Sequence, residues 1–250
     1  MAGKLRKDGA KRPHRFAGIV SGTLFICMTA AVLLISVYRS LNRSADEVIE
    51  EQAVFSDMPE TESEEATKRV ALTFDDGPHP VYTAKLLDGL AEYDVKATFF
   101  VIGKNIPGNE DLIERMEREG HLIGNHTWDH VKISDMSTAE ACEQVEKTSA
   151  LVKQITGKNT EYVRPPFGSW NKDLECSFVM FPVLWDVDPL DWTTNNTGDI
   201  VRRVLEDVEP DDIILLHDCY DSSVDAALLI VEALLSQGYE FVTVDELILL

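Results

Sequence analysis

Residues 70–78, VALTFDDGP, decide the fold, because they join a short apolar run to two carboxylates and a turn. An apolar run of this length that ends in Asp, Gly and Pro is the pattern of a buried strand followed by a sharp turn. Asp75 and Asp76 stand at the strand end, where successive side chains point to opposite faces. One carboxylate can therefore bind a metal ion while the other faces a substrate. An ordinary polar turn is the alternative interpretation.

Similar apolar runs recur along the rest of the chain and alternate with amphipathic helical stretches. This alternation is typical of a β/α architecture with parallel strands. Seven strands with interleaved helices favour a barrel, complete or incomplete, over an open sheet. We therefore predict an α/β fold, a complete or incomplete (β/α) barrel, with strands at 70–74, 97–102, 121–124, 162–164, 183–187, 212–216 and 241–244. Helices are predicted at 83–93, 110–119, 138–156 and 224–237.

Polar clusters come at or just after the ends of five of these strands. In parallel β/α barrels the carboxyl ends of the strands form the active-site face. The five clusters are therefore expected to converge on one site, and they lie at 73–78, 126–130, 164–168, 188–192 and 217–218.

His126 and His130 have the spacing of an i, i+4 pair on a helix. Two imidazoles and one carboxylate bind a divalent ion and leave coordination positions open, as a metal that activates water requires. A pair of surface histidines without metal is the alternative. The pair predicts a metal site completed by a carboxylate.

Two further residues at strand ends are candidates for a functional positive charge. Arg164 precedes two prolines that stiffen the backbone beside it, which suits a guanidinium that must hold a carboxylate in one orientation. His217 follows an apolar strand, where a neighbouring carboxylate would raise its pKa and keep it protonated. Asp188 and Asp191 are the candidate carboxylates. A surface arginine and a structural histidine are the alternatives.

The charge of the chain is distributed unevenly. The net charge is −21, but residues 1–38 hold six basic side chains and one acidic one, a net of +5, so the remainder carries −26. A body this acidic repels phosphate polymers, and nucleic acid is therefore not an expected partner. A neutral or cationic substrate is favoured.

Residues 16–38 contain no charged side chain, and at about 1.5 Å per residue their length exceeds the roughly 30 Å of a bilayer core. A cleaved secretory signal is the alternative, although its apolar region is usually shorter and ends at a small-residue cleavage site. The basic residues before the span place the N-terminus in the cytoplasm. We therefore predict a basic cytoplasmic segment at 1–15, a transmembrane anchor at 16–38, an acidic linker at 39–68 and an extracytoplasmic domain at 69–250.

Three cysteines lie in the predicted outer domain: Cys142, Cys176 and Cys219. They allow at most one intramolecular disulfide, which an oxidising location permits without requiring it. The sequence alone leaves open which pair forms, or whether any does.

The motifs TFDDGP, HTWDH, RPPFG, DVDPLDW and LLHD occur in this order at domain-scale spacing. Over about residues 69–250 the chain resembles the polysaccharide deacetylases, the NodB-homology domain of carbohydrate esterase family four. It is most similar to the peptidoglycan N-acetylglucosamine deacetylases, several of which are membrane-anchored. The resemblance implies a distorted barrel of the NodB type, a divalent ion such as zinc or cobalt, and removal of acetyl groups from N-acetylglucosamine in a cell-wall polysaccharide.

The resemblance also implies a role for each matching residue. Asp75 would be the general base, oriented by Arg164, and His217 would be the general acid, with its pKa tuned by Asp191. The metal ligands would be Asp76, His126 and His130.

The implied substrate contacts come from three other residues. The backbone N–H of Phe167 would help to hold the oxyanion, and Trp192 and Leu215 would line the acetyl pocket. The family often has Tyr at the position of Phe167, but a backbone donor survives that change.

Several functional alternatives remain open. The same motifs are compatible with deacetylation of N-acetylmuramic acid, chitin oligosaccharides or an exported polysaccharide. Hydrolysis of cyclic or non-sugar amides by the same fold is a second class. A wall-binding module without activity is a third, since a fold alone does not imply activity.

Overall fold

A computed structural model describes residues 67–170, 176 and 180–248. The chain divides into two compact units, Met1–Glu65 and Ala66–Leu250, and every feature below belongs to the second. The predicted basic segment and membrane anchor, and all but the last two residues of the predicted linker, lie outside the described residues. Within the described part of the chain, no helix has the length and apolar character needed to cross a bilayer.

Within the described residues, seven strands form one parallel sheet, as predicted. The strands are β1 Lys68–Asp75, β2 Thr98–Val101, β3 Leu122–Asn125, β4 Tyr162–Val163, β5 Phe181–Pro182, β6 Asp212–His217 and β7 Tyr239–Val242. They run in the order β5-β4-β3-β2-β1-β6, and β7 pairs with the first half of β1.

The segment after β5 contacts both edges of the sheet, which gives the barrel its distorted form. β5 pairs with β4 at one edge. A few residues later, Val187 forms a parallel bridge with Ile214 of β6 at the other edge, and its carbonyl accepts a hydrogen bond from Leu215 N at 2.9 Å. One irregular stretch of chain therefore joins the two edges.

In the part of the chain that the structure describes, six helices cover the sheet: α1 Tyr82–Glu92, α2 Glu110–Arg118, α3 Thr138–Thr156, α4 Thr197–Asp207, α5 Asp221–Ser236 and α6 Val244–Ile248. The bounds of α3 agree with the prediction because both ends carry strong local signals. Ser137 and Glu140 form a capping box, and Gly157 adopts the left-handed conformation at the end. Helix α4 was not predicted.

Two predicted strands were placed wrongly. The strand predicted at 183–187 is observed two residues earlier, at β5 (Phe181–Pro182). It ends there because the carbonyls of Val183 and Leu184 accept hydrogen bonds from the Arg164 side chain rather than from a neighbouring strand. The predicted strand 241–244 ends earlier, since Thr243 N bonds Glu246 Oε2 and so begins α6.

Alternation along β1 separates the apolar core from the site. Val70, Leu72 and Phe74 belong to the large cluster packed with the helices. Ala71 belongs to a second cluster with Phe100, Tyr162 and Val183. Because strand side chains alternate, Thr73 and Asp75 share the face of Ala71 and point into the barrel.

The pairing of the cysteines is settled by the structure. Cys142 of α3 is bonded to Cys176, with their Cα atoms 5.6 Å apart. Cys219 is free, and burial raises the pKa of its thiol to about 12. The disulfide links α3 to the segment that follows the RPPFG motif.

Candidate metal centre and active-site cleft

The predicted motifs meet at the carboxyl ends of the strands. Asp75 ends β1, His126 follows β3, Arg164 follows β4 and His217 ends β6. A cleft of about 340 Å³ opens there, lined by Asp75, Asp76, His126, His130, Phe167, Trp185, Asp188, Trp192, Leu215, His217 and Tyr220. Arg164 and Asp191 lie buried behind this lining and contact Asp75 and His217.

Asp76, His126 and His130 form a three-ligand cluster. Asp76 Oδ1 lies 3.5 Å from His126 Nε2 and 3.4 Å from His130 Nε2, and one ligand atom from each residue falls within 4.8 Å of the others. Ligands about 2.0–2.1 Å from a tetrahedral ion stand roughly 3.3 Å apart. Asp76 Oδ1 is also buried without a hydrogen-bond partner among the described residues. The cluster therefore fits a divalent ion.

The tautomer of His126 is fixed by its neighbour. His126 Nδ1 lies 2.7 Å from the carbonyl oxygen of Arg164, and a carbonyl only accepts, so Nδ1 carries the proton. Nε2 then keeps its lone pair for the cluster, as metal-binding histidines require. Burial lowers the pKa of His130, against the opposing charge of Asp76, which favours the neutral imidazole that binds metal.

The two histidines do not lie on a helix, so the interpretation of their spacing as a helical pair was wrong. Thr127 and His130 have φ values of 66° and 57°, which turn the chain back sharply. Thr127 O accepts a hydrogen bond from Gly103 N at 2.9 Å, and Trp128 O accepts one from Lys104 N at 3.0 Å. This loop geometry brings His130 back beside His126.

The turn at residues 102–105, called here the IGKN turn, was not identified as functional from the sequence. Asn105 Nδ2 donates to the Asp76 carbonyl at 2.8 Å, and Ile102 N donates to the Gly77 carbonyl at 2.9 Å. The same turn holds the histidine loop through Gly103 and Lys104. The IGKN turn therefore fixes the loop that carries Asp76 relative to the loop that carries His126 and His130. In the sequence, this turn is indicated only by a polar stretch directly after a buried strand.

Arg164 holds Asp75 in one orientation. Its side chain is fully buried, and Nη1 donates to Asp75 Oδ1 at 2.9 Å and to Thr73 Oγ1 at 2.7 Å. Burial lowers the pKa of the guanidinium, whereas the charge and hydrogen bond of Asp75 oppose this. The second oxygen of Asp75, Oδ2, lies 3.7 Å from His126 Nε2. Oδ1 of Asp75 is thus fixed by Arg164, and Oδ2 faces the three-ligand cluster.

Asp191, and not Asp188, is the carboxylate that contacts His217. Asp191 Oδ1 lies 2.8 Å from His217 Nδ1, and Oδ2 accepts from His217 N at 2.9 Å. Burial by itself lowers the pKa of His217, but the hydrogen bond and charge of Asp191, with Asp75 and Asp76 further off, raise it to about 9. Asp188 bonds Leu190 N and lines the cleft.

Aromatic side chains surround the mouth of the cleft. Phe167 has a φ of 61°, and its ring is 68% exposed and lies 4.9 Å from that of His130. Trp192 and Leu215 line the cleft, as the sequence predicted. Trp185 and Tyr220 line it as well and were not predicted, since isolated aromatics carry no sequence signal that separates them from core residues.

Replacing Asn105 with Ala is expected to weaken metal binding about tenfold, because hydrogen bonds that hold a metal-binding residue in place typically contribute about 10- to 100-fold to metal affinity. Isothermal titration of the metal-free protein with zinc measures the change. Asn159→Ala, at an exposed position away from the cleft, is the matched control. Equal zinc affinity in both variants and the wild type would contradict a holding role for the IGKN turn.

The Asp191→Asn variant should have a lower His217 pKa, since burial is then opposed only by the smaller effects of Asp75 and Asp76. In the wild type the pKa of His217 is raised to about 9. The ion pair between His217 and Asp191 therefore stabilises the fold fully below the unfolded pKa of about 6.5. This stabilisation is lost as pH rises through 9. NMR titration of the imidazole in chelator-treated protein checks the shift. A pKa that stays near 9 would show that Asp191 does not set it.

Comparison with known proteins agrees with this geometry. A family model described as polysaccharide deacetylase matches residues 62–177. The solved structure of the peptidoglycan deacetylase PdaC from Bacillus subtilis is 42% identical, with a TM-score of 0.71, over 73% of this chain and 90% of that chain.

Curated relatives include two peptidoglycan enzymes and one that acts on chitooligosaccharides. The N-acetylmuramic acid deacetylase PdaC of Bacillus subtilis is 41% identical over 76% of this chain, and the N-acetylglucosamine deacetylase PgdA of Listeria monocytogenes is 40% identical over 76%. The match covers only 41% of the length of each. A chitooligosaccharide deacetylase of Rhizobium leguminosarum is 34% identical over 75% of this chain and 95% of that protein. By fold, site and similarity, the chain belongs to the polysaccharide deacetylase family.

Proposed function

We propose that the protein hydrolyses the N-acetyl group of N-acetylglucosamine residues in cell-wall peptidoglycan or a related polysaccharide and releases acetate. The observation that carries this proposal is the arrangement of one cleft. Three candidate metal ligands, one with an unpartnered carboxylate oxygen, line the same cleft as a carboxylate held by a buried arginine and a histidine whose pKa is raised by a buried aspartate. A base, a metal site and an acid around one small cleft suit hydrolysis of an amide.

Asp76, His126 and His130 would hold one divalent ion. Two imidazoles and a carboxylate are a common zinc set, and cobalt or another divalent ion is compatible with the same donors. Such an ion supplies Lewis acidity that polarises a carbonyl and lowers the pKa of a water molecule.

Asp75 is the base in this proposal. Its Oδ1 is held by Arg164, so Oδ2 is left to take a proton from the attacking water. The water oxygen then forms a bond to the acetamide carbon. Because Arg164 is fully buried and donates to Asp75 Oδ1, it holds the carboxylate in one orientation, as a base requires.

The tetrahedral oxyanion and the leaving amine meet two other groups. Phe167 lines the cleft in a left-handed conformation, and its backbone N–H would donate to the oxyanion, a contribution of about 3 kcal/mol for a well-placed donor. His217, protonated through its contact with Asp191, would give its proton to the nitrogen as the C–N bond breaks. Trp192 and Leu215 would enclose the methyl group. Acetate and a free amine leave.

The choice of sugar is the finer part of the proposal. N-acetylglucosamine is favoured by the motif resemblance and is the substrate named for the Listeria relative. Other relatives are named for N-acetylmuramic acid and for chitooligosaccharides, so both remain alternative substrates. A net charge of −21 supports a neutral or cationic glycan and argues against nucleic acid as a partner.

We also place the protein at the cell membrane. The uncharged run at 16–38 and the basic residues before it support a single-pass anchor with a cytoplasmic N-terminus and an extracytoplasmic catalytic domain. An anchored enzyme on the outer side would reach wall glycans directly.

Treatment of the full chain with a chelator is expected to abolish acetyl loss from N-acetylglucosamine oligomers and from digested peptidoglycan, and added zinc or cobalt should restore it. Mass spectrometry detects each loss and identifies the sugar that changes. Retained activity after verified metal removal would contradict the mechanism. No acetyl loss from any glycan by metal-loaded protein would instead favour a non-sugar amide or an inactive wall-binding module.

A further inference from the structure

Two residues of the sequence motifs, Gly77 of TFDDGP and Asp218 of LLHD, have no part in the proposed chemistry. Neither lines the cleft, so neither contacts a substrate held there. Asp218 is nevertheless buried, directly after His217. A carboxyl group removed from water costs free energy unless its surroundings compensate for it. The contacts of this side chain indicate what it does.

Asp218 is bonded to the chain on both sides of Asp76. Asp218 Oδ2 accepts a hydrogen bond from Thr83 Oγ1 in the first turn of α1. The same Oγ1 accepts a hydrogen bond from His79 N at 2.8 Å, and Thr83 N donates to the His79 carbonyl at 3.1 Å. On the other side, Asp218 N donates to the Asp75 carbonyl at 3.4 Å. The turn that follows β1 is therefore tied to the end of β6.

Gly77 lies directly against the Asp218 carboxyl group. A Cβ atom at position 77 would stand 2.5 Å from Asp218 Oδ1 and closer still to Oδ2, well below the roughly 3.5 Å at which nonbonded atoms pack. Gly77 is not among the described glycines that have a positive φ. This glycine is therefore required by the close approach of the carboxyl group and not by its own dihedral angles.

The turn that these contacts hold carries a strained candidate ligand. Asp76 has a φ of 75°, a left-handed conformation that is unfavourable for a residue with a Cβ atom and persists only where surrounding contacts enforce it. The IGKN turn, which follows β2, binds the carbonyls of Asp76 and Gly77. Asp218, which follows β6, contacts Gly77 at Cα. The position of Asp76 thus depends on two separate supports.

Asp218 also relates the proposed base to the proposed acid. β1 and β6 pair in parallel with Asp75 opposite His217. The carboxyl group of Asp218 belongs to the segment after β6, whereas Gly77, against which it packs, belongs to the turn after β1. A change of volume at Asp218 would therefore move Asp75 and Asp76 relative to His217.

We propose that Asp218 is a positioning residue for the metal centre: its buried carboxyl group, bonded to Thr83, supports Gly77 and so fixes Asp76 for metal binding. The side chain acts through Gly77 and is not one of the three candidate ligands. The proposal rests on the proposed function and assigns a common role to the glycine of TFDDGP and the aspartate of LLHD.

A double-mutant cycle tests the contact between Gly77 and Asp218. Calorimetric titration with zinc measures the affinity of the metal-free full chain for the wild type, Gly77→Ala, Asp218→Ala and the double variant. Gly77→Ala should lower zinc affinity about tenfold or more in the wild-type background, because its methyl group displaces the turn, a coupling of the size seen between contacting residues. The same change should cost about threefold or less when position 218 is Ala, because the methyl group then has room. Equal losses in both backgrounds would overturn the proposal.

A second comparison separates positioning from stability of the fold. Asp218→Ala should lower zinc affinity about tenfold. At saturating zinc it should lower kcat for acetyl release by about the same factor, with KM within about twofold because the lining of the cleft is unchanged. Asp218→Asn keeps an acceptor for Thr83 and the bulk beneath Gly77, so it should restore most of both values.

Met116→Ala, in the core at the end of α2 that precedes β3, is the matched control. It should lower the melting temperature while zinc affinity stays at the wild-type value. Wild-type zinc affinity in Asp218→Ala, or an equal loss in Met116→Ala, would overturn the proposal. If Asp218→Ala does not fold, Thr83→Val must still lower zinc affinity, and unchanged affinity in that variant would overturn the proposal as well.

Zinc binding also keeps this proposal separate from the proposed function. Zinc affinities that follow these expectations, together with no acetyl release from any glycan by the metal-loaded wild type, would contradict the deacetylase activity and leave the positioning role of Asp218 supported.

Discussion

A single buried cation, Arg164, organises the barrel and the site together. Its side chain is fully buried and donates to Asp75, to Thr73 and to the carbonyls of Val183 and Leu184. A charge removed from water is costly unless every donor is matched, and this one has a carboxylate and several oxygens around it. Losing one partner of such a pair typically costs about 3–5 kcal/mol. The interior of the barrel is therefore built around a polar network.

The contacts of Arg164 link three features that the sequence keeps far apart. Its guanidinium fixes one oxygen of Asp75, and its backbone carbonyl sets the tautomer of His126. Its bonds to Val183 and Leu184 shape the irregular segment that joins both edges of the sheet. The proposed base, one candidate metal ligand and the closure of the barrel thus depend on one residue. The IGKN turn completes the arrangement by holding Asp76 and the histidine loop.

The sequence predicts what depends on local pattern. The parallel strands follow from apolar runs, the bounds of α3 follow from its caps, and the polar clusters follow from the strand ends at Asp75 and His217. What depends on contacts between distant segments is not predicted. Asn105 contacts Asp76 through a backbone carbonyl. Two carbonyls of the strand expected at 183–187 bond Arg164 instead of a neighbouring strand. The left-handed conformation of Thr127 and His130 occurs without a glycine that would indicate it in the sequence.

In the proposed mechanism Asp75 takes a proton from water while Asp76 and the two histidines hold the metal. Acetyl release and bound zinc, measured on the same sample of Asp75→Asn, test this mechanism. We expect a fall in kcat of about 10²- to 10⁴-fold, the usual contribution of a general base, with zinc stoichiometry equal to that of the wild type. Turnover near the wild-type rate at full zinc occupancy would contradict it and remove Asp75 from the chemistry.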